Sequence, residues 1–225
     1  MATRVGVVVF PGTNCEHDVA AAAASLGAEV ELLWHGRADL AGVDAVVLPG
    51  GFAHGDYLRP GALARFSPVM TAVARFAEAG GPVVGICNGF QVLTEAGLLP
   101  GALQKNRHLR FLCTTVDVRV TSTRSVLTAG CDPGRVLRLP INHFVGSYVC
   151  DDATLAELQA EDRVVLRYVD NPNGSVDDVA GIANAAGNVV GLMPHPERAS
   201  AELLGSTDGL VLLRSLLVSA AAPVG

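Results

Sequence analysis

Over the first half of the chain, short apolar runs alternate with longer mixed stretches. Residues 4–10 are Val-rich and stop at Pro11-Gly12, whereas residues 16–26 are Ala-rich and end at Gly27. The first pattern predicts a strand and the second a helix with a glycine stop. The alternation continues with strands over residues 29–34 and 43–48, a helix over 62–79, and a strand over 82–86 that runs into another helix. Strands that are apolar throughout, rather than at every second position, are buried on both faces. They predict a parallel sheet covered by helices on both sides.

Beyond Gln104 the texture becomes β-rich. Residues 111–120, 136–139, 145–149, 164–169, 179–184 and 189–193 read as strands, with one short helix near 153–160, and part of the sheet there is expected to be antiparallel. Residues 210–220 predict a closing amphipathic helix, and 221–225 a frayed tail. No internal repeat or low-complexity linker interrupts the pattern. The expectation is one α/β domain spanning residues 1–225.

Composition narrows the function classes. Half of the 225 residues are hydrophobic and 17% are charged, the balance of a globular chain with a large core. The net charge is −6 and the sixteen Lys and Arg are scattered, so no basic stripe exists to neutralise a phosphate backbone. Nucleic acid is not an expected partner. No apolar run approaches the roughly twenty residues of a bilayer span, and the Val-rich start is broken by Pro11-Gly12 too early for a signal peptide. Five cysteines without a CxxC pair suggest neither a disulfide framework nor a zinc site, and fit a reducing cytoplasm.

Three segments carry candidate chemistry. In Gly85-Ile86-Cys87-Asn88-Gly89 a cysteine sits between two glycines where a buried strand hands over to a helix. This is the spacing of a nucleophile elbow, in which the sharp turn needs glycines for close backbone approach. The helix that follows points free N–H groups at the sulfur and favours thiolate over thiol. Near the other end, prolines flank His195 in Pro194-His195-Pro196-Glu197. An extended backbone there would put His195 and Glu197 on one face, where the carboxylate can orient the imidazole. The third segment is Gly50-Gly51-Phe52, directly after an apolar strand. Ligands in a parallel α/β sheet bind beyond the carboxyl ends of the strands, so this loop and the Cys87 turn share a region. Backbone N–H groups of Gly50, Gly51 and Asn88 are then candidates for holding an oxyanion. Taken singly, a buried cysteine, a strand-end histidine and a diglycine turn each have an ordinary structural reading.

These motifs resemble those of the class I glutamine amidotransferases. Within that class the chain is similar to glutaminase subunits serving a synthetase of purine biosynthesis. Phe10-Pro11-Gly12-Thr13-Asn14-Cys15, Gly55-Asp56-Tyr57-Leu58-Arg59 and Asn171-Pro172-Asn173-Gly174-Ser175 extend the similarity across nearly the whole chain. The resemblance implies a flavodoxin-like α/β scaffold with an added antiparallel part. It implies Cys87, His195 and Glu197 as the catalytic residues, Gly51 and Asn88 as the oxyanion hole, and Gly50, Phe52 and Gln91 as contacts to L-glutamine. It also implies a larger synthetase subunit and a small third subunit as partners. ATP and Mg belong to the synthetase, with no cofactor or metal in this chain, which lacks a P-loop. One stretch departs from the family pattern: where a His-Gly-Glu-Gly type segment is usual, residues 140–148 read Pro-Ile-Asn-His-Phe-Val-Gly-Ser-Tyr, which puts substrate and partner contacts there in question. Residues 116–135 differ as well. The competing readings are a stand-alone cysteine hydrolase on the same scaffold, of γ-glutamyl hydrolase or intracellular peptidase type, and a catalytically silent regulatory module.

Overall fold

A computed structural model describes residues 2–221 of the chain. Its centre is a nine-stranded sheet whose first five strands are parallel. β1 (Arg4–Val9) lies between β2 (Glu29–Trp34) and β3 (Ala45–Leu48), followed outward by β4 (Val83–Ile86) and β11 (Val189–Leu192). The order β2-β1-β3-β4-β11 is that of a flavodoxin-like sheet, with its reversal of strand order at β1 and β3. β3, β4 and β11 are buried at every position, which accounts for their unbroken apolar sequences.

The remaining four strands run antiparallel: β10 (Val179–Ala183), β9 (Val164–Tyr168), β6 (Leu112–Val120) and β7 (Val136–His143). β7 extends past the expected end at residue 139 and includes Pro140. It is an edge strand paired only with β6, and an edge tolerates a residue without an N–H. A separate two-stranded ribbon joins β5 (Ala102–Lys105) to β8 (Val145–Val149). β5 was not expected, because its sequence Ala-Leu-Gln-Lys carries neither β-branched residues nor a clear alternation.

The helices are α1 (Glu16–Ser25), α2 (Pro68–Glu78), α3 (Asn88–Glu95), α4 (Asp152–Ala160) and α5 (Gly209–Ala221). Right-handed crossovers from β1 to β2 and from β3 to β4 run in opposite directions along the sheet, so α1 and α2 cover opposite faces. The single helix expected over residues 62–79 is instead a 3₁₀ turn at Ala64–Phe66 and then α2, separated by Ser67 in extended conformation. Pro68 is the cause: a proline excludes its predecessor from the helical region and itself fits the first turn. Of the tail expected over residues 221–225, Ala221 instead ends α5, and residues 222–225 lie outside the described residues. No helix among the described residues is long and apolar enough to cross a membrane.

Candidate active site

Three glycines let α3 settle directly on the sheet. A Cβ at Gly89 would stand 1.9 Å from the carbonyl oxygen of Leu48 on β3, one at Gly85 2.6 Å from the backbone of Gly89, and one at Gly191 2.0 Å from the Phe90 ring. No side chain fits such gaps. The turn between β4 and α3 is therefore sharp, and Cys87 at its apex adopts φ 51°, ψ −105°. A non-glycine residue held there costs about 1–3 kcal/mol, which the surrounding packing must enforce. Cys87 is anchored by its N–H to the Leu192 carbonyl at 2.8 Å, and its Sγ lies 3.8 Å from the carbonyl oxygen of Asn142.

His195 and Glu197 follow β11, the strand beside β4. His195 Nδ1 donates to Glu197 Oε1 at 2.6 Å, and both side chains are buried. The extended geometry expected across the two prolines holds only for His195 (φ −104°, ψ 90°); Pro196–Arg198 instead forms a 3₁₀ turn, with Pro196 at its first position. The pair thus meets through a turn rather than along a strand. With Nδ1 engaged by the carboxylate, Nε2 has no hydrogen-bond partner, nor does Glu197 Oε2. Burial opposes protonation of the imidazole, but the Glu197 carboxylate, with the nearby Cys87 and Cys15 sulfurs, outweighs it and raises the His195 pKa well above its ordinary value.

Gly50 lies where these groups converge. A Cβ there would be 2.7 Å from His195 Cε1, 3.1 Å from Cys15 Sγ and 3.5 Å from Cys87 Cβ. Gly51 (φ 150°) is just as confined, with Thr13 Cα 2.7 Å from a would-be Cβ. Among the described residues no protein acceptor takes the N–H of Gly51 or of Asn88 outside regular elements. Both are available to an oxyanion.

A cavity of about 790 Å³ opens above Cys87 and His195; Gly51, Phe52 and Gln91 line it, whereas Gly50, Asn88 and Glu197 lie beneath its wall. Gln91 is also a brace: its Oε1 accepts from Asn88 Nδ2 at 2.7 Å and its Nε2 donates to the Val145 carbonyl at 2.6 Å. The unusual segment 140–148 meets the site largely through its backbone. Pro140 O accepts from His195 N, Asn142 O faces Cys87, and Val145 O accepts from Gln91. Carbonyls are common to all residues, so these contacts survive changed side chains. The Asn-Pro-Asn-Gly-Ser stretch supports the same segment: Asn173 Nδ2 donates to Gly146 O at 2.8 Å, and Ser175 Oγ accepts from Tyr148 N at 3.0 Å.

Two residues at the site escaped the reading of sequence chemistry. Cys15 Sγ accepts from Arg198 Nη2 at 3.2 Å. Cys15, His195 and Glu197 offer ligand atoms within 4.8 Å of one another, close enough for a soft divalent ion, although Nδ1 of the imidazole is already engaged by Glu197. His143 is buried, with Nδ1 3.1 Å from Asn106 Oδ1. Both amide hydrogens of Asn106 go to the carbonyls of Arg110 and His143, so its oxygen accepts and His143 Nδ1 carries the proton. Burial, then the neighbouring His195, lowers the His143 pKa to about 4. Cys15 was visible only as part of a motif, and His143 only as part of the departing segment.

The CobB/CobQ-like glutamine amidotransferase domain matches residues 2–207. A phosphoribosylformylglycinamidine synthase subunit PurQ of Rubrobacter xylanophilus is 61% identical over 217 residues, covering 96% of this chain and 99% of the relative. The subunit of the same name from Synechococcus elongatus is 56% identical over 220 residues, covering 97% and 100%. Among solved structures, PurLQS from Thermotoga maritima superposes with a TM-score of 0.90 at 43% identity, covering 97% of this chain and 99% of that one. A glutamine amidotransferase of the same organism shares the fold at 16% identity, with a TM-score of 0.62 over 99% and 100% of the two chains.

Proposed function

The chain belongs to the CobB/CobQ-like glutamine amidotransferase family, and from that premise we propose that it is the glutaminase subunit of a phosphoribosylformylglycinamidine synthase. It releases ammonia from L-glutamine for a larger ATP-dependent synthetase subunit, which converts formylglycinamide ribonucleotide to the amidine in purine biosynthesis. The observation that carries this reading is the meeting of the elbow cysteine with the buried His195–Glu197 pair at the floor of one cavity.

The chemistry follows from that arrangement. The Cys87 thiolate attacks the side-chain carboxamide carbon, and the developing oxyanion takes the N–H groups of Gly51 and Asn88. His195, protonated at Nε2 and stabilised by Glu197, gives that proton to the departing ammonia. A γ-glutamyl thioester is left on Cys87. Nε2, now a base, takes a proton from water as the water attacks the thioester, and glutamate leaves as the thiolate is restored. Phe52 and Gln91 shape the cavity around the substrate, and Gly50, beneath its wall, leaves room for His195 and Cys87.

ATP and Mg act in the synthetase, and a small third subunit completes the assembly, in keeping with the PurLQS likeness. The continuous nine-stranded sheet supports a single amidotransferase domain over residues 1–225, and five free cysteines support a cytoplasmic location. The stand-alone hydrolase reading gives way, because relatives of 53–61% identity are synthase subunits.

The test is Cys87→Ala in the reconstituted complex. Glutamine-dependent synthesis should fall to background while synthesis from added ammonium salts persists. An equal loss of both would contradict the assignment of Cys87 as nucleophile.

A further inference from the structure

One carboxylate in the cavity has no part in the chemistry above. Among the described residues Asp56 is the sole acidic one lining the cavity, half-buried in its wall. Its Oδ1 accepts from Asn88 Nδ2 at 3.2 Å, and among the described residues it forms no ion pair. Burial pushes its pKa up to about 6 against the pull of the Asn88 hydrogen bond, as befits an anion without a cation.

The cationic lining residues near it are otherwise engaged. Arg59 is held by Glu95 through two bonds of 2.5 and 2.6 Å, and Arg198 by Asp18 at 3.1 Å and Cys15 at 3.2 Å. Lys105 is the exception: it has no ion pair among the described residues, and its ammonium stands 6.0 Å from the Phe144 ring centre. The wall thus offers one unmatched anion and one unmatched cation.

Asp56 is also tied to the reacting end. Asn88, the residue after the nucleophile, joins the Asp56 carboxylate to Gln91 through its amide hydrogens and takes the Ala53 N–H on its oxygen at 2.9 Å. Displacement of Asp56 is therefore displacement of a group fixed to the nucleophile turn. His54, Asp56 and Leu58 all hold positive φ (54°, 53° and 68°), so the loop keeps this carboxylate in place by a strained backbone.

A glutamine whose carboxamide reaches Cys87 leaves its charged α-carbon end farther out along the wall, where a desolvated ammonium needs an anion. Resting on the glutaminase reading, we infer that Asp56 receives the α-ammonium of glutamine and sets the preference for an α-amino acid amide over a simple amide. Lys105 carries the complementary charge for the α-carboxylate.

The experiment compares wild-type, Asp56→Asn and Asp56→Glu chains in the complex with the synthetase. It measures KM and kcat for L-glutamine, and the inhibition constant of 4-carbamoylbutanoate, which lacks the amino group. Asparagine preserves an acceptor for Asn88 and removes only the charge. Asp56→Asn should raise KM for glutamine about 10- to 100-fold, the range of a lost charged hydrogen bond, with kcat changed far less. Inhibition by the analogue should move little, so discrimination between the two collapses, and Asp56→Glu should recover part of it. A fall carried by kcat with KM and discrimination intact would mean that Asp56 only braces Asn88, which overturns the inference alone. A wild-type complex that leaves glutamine unhydrolysed would overturn the glutaminase reading and this inference with it.

Discussion

At the scale of single residues, the partner that a buried side chain meets decides whether it holds charge. His195 is buried yet carries a raised pKa, because Glu197 lies 2.6 Å from Nδ1. His143, equally enclosed, meets the neutral Asn106 amide and stays uncharged, its pKa lowered to about 4. The sign of its effect on stability follows by linkage. The unfolded chain binds a proton at His143 near the ordinary value of 6.5, and the folded chain does so only near 4. Its contribution is therefore fully present above 6.5 and is lost as pH falls toward 4. Wild type should lose roughly 2 kcal/mol more than His143→Asn between pH 7.5 and pH 5. Urea denaturation at the two pH values checks this, and parallel losses would show that His143 is protonated in the folded state. Such contrasts are hard to read from sequence: Cys87 stood out as a candidate by its glycine spacing, and His195 and Glu197 by their likeness to a family motif, whereas the environments of Asp56 and His143 arise from residues distant in the chain.

At the scale of elements, the nucleophile turn depends on how closely α3 approaches the sheet. Gly89 has no room for even a methyl group, since the Leu48 carbonyl would lie 1.9 Å from it. Gly89→Ala should destabilise the fold by about 3 kcal/mol or more, beyond the usual cost of overpacking because backbone on both sides must shift. A melting temperature close to wild type would show that α3 can move away freely. The inner strands β3, β4 and β11 were legible because burial on both faces leaves an unbroken apolar run, as in Val-Val-Gly-Ile of β4. β5 was not, because its place is set by pairing with β8 rather than by its own residues. The start of α2 was displaced by one proline whose effect outweighed the helical pattern before it.

For the whole molecule, the parallel and antiparallel halves of the sheet meet at the β11–β10 pair, and the site stands beside that junction. The parallel half supplies Cys87 after β4 and His195 after β11; the antiparallel half supplies the β7 carbonyls that face both, at Pro140 and Asn142. This division bears on the altered segment 140–148: from β7 the site takes the carbonyls of Pro140 and Asn142, with the buried His143 beside them. The amidotransferase class was legible in motifs along nearly the whole chain, but this route by which the segment serves the site was not, because sequence reports side chains and not where carbonyls point. The measurement that bears most directly on the account is glutamate release from glutamine by the purified chain, alone and then with the synthetase subunit, ATP and formylglycinamide ribonucleotide. Strong stimulation by the full mixture is the predicted result, with glutamine hydrolysis coupled to ammonia use. No release under either condition, from a folded chain whose Cys87 still reacts with a thiol probe, would contradict it.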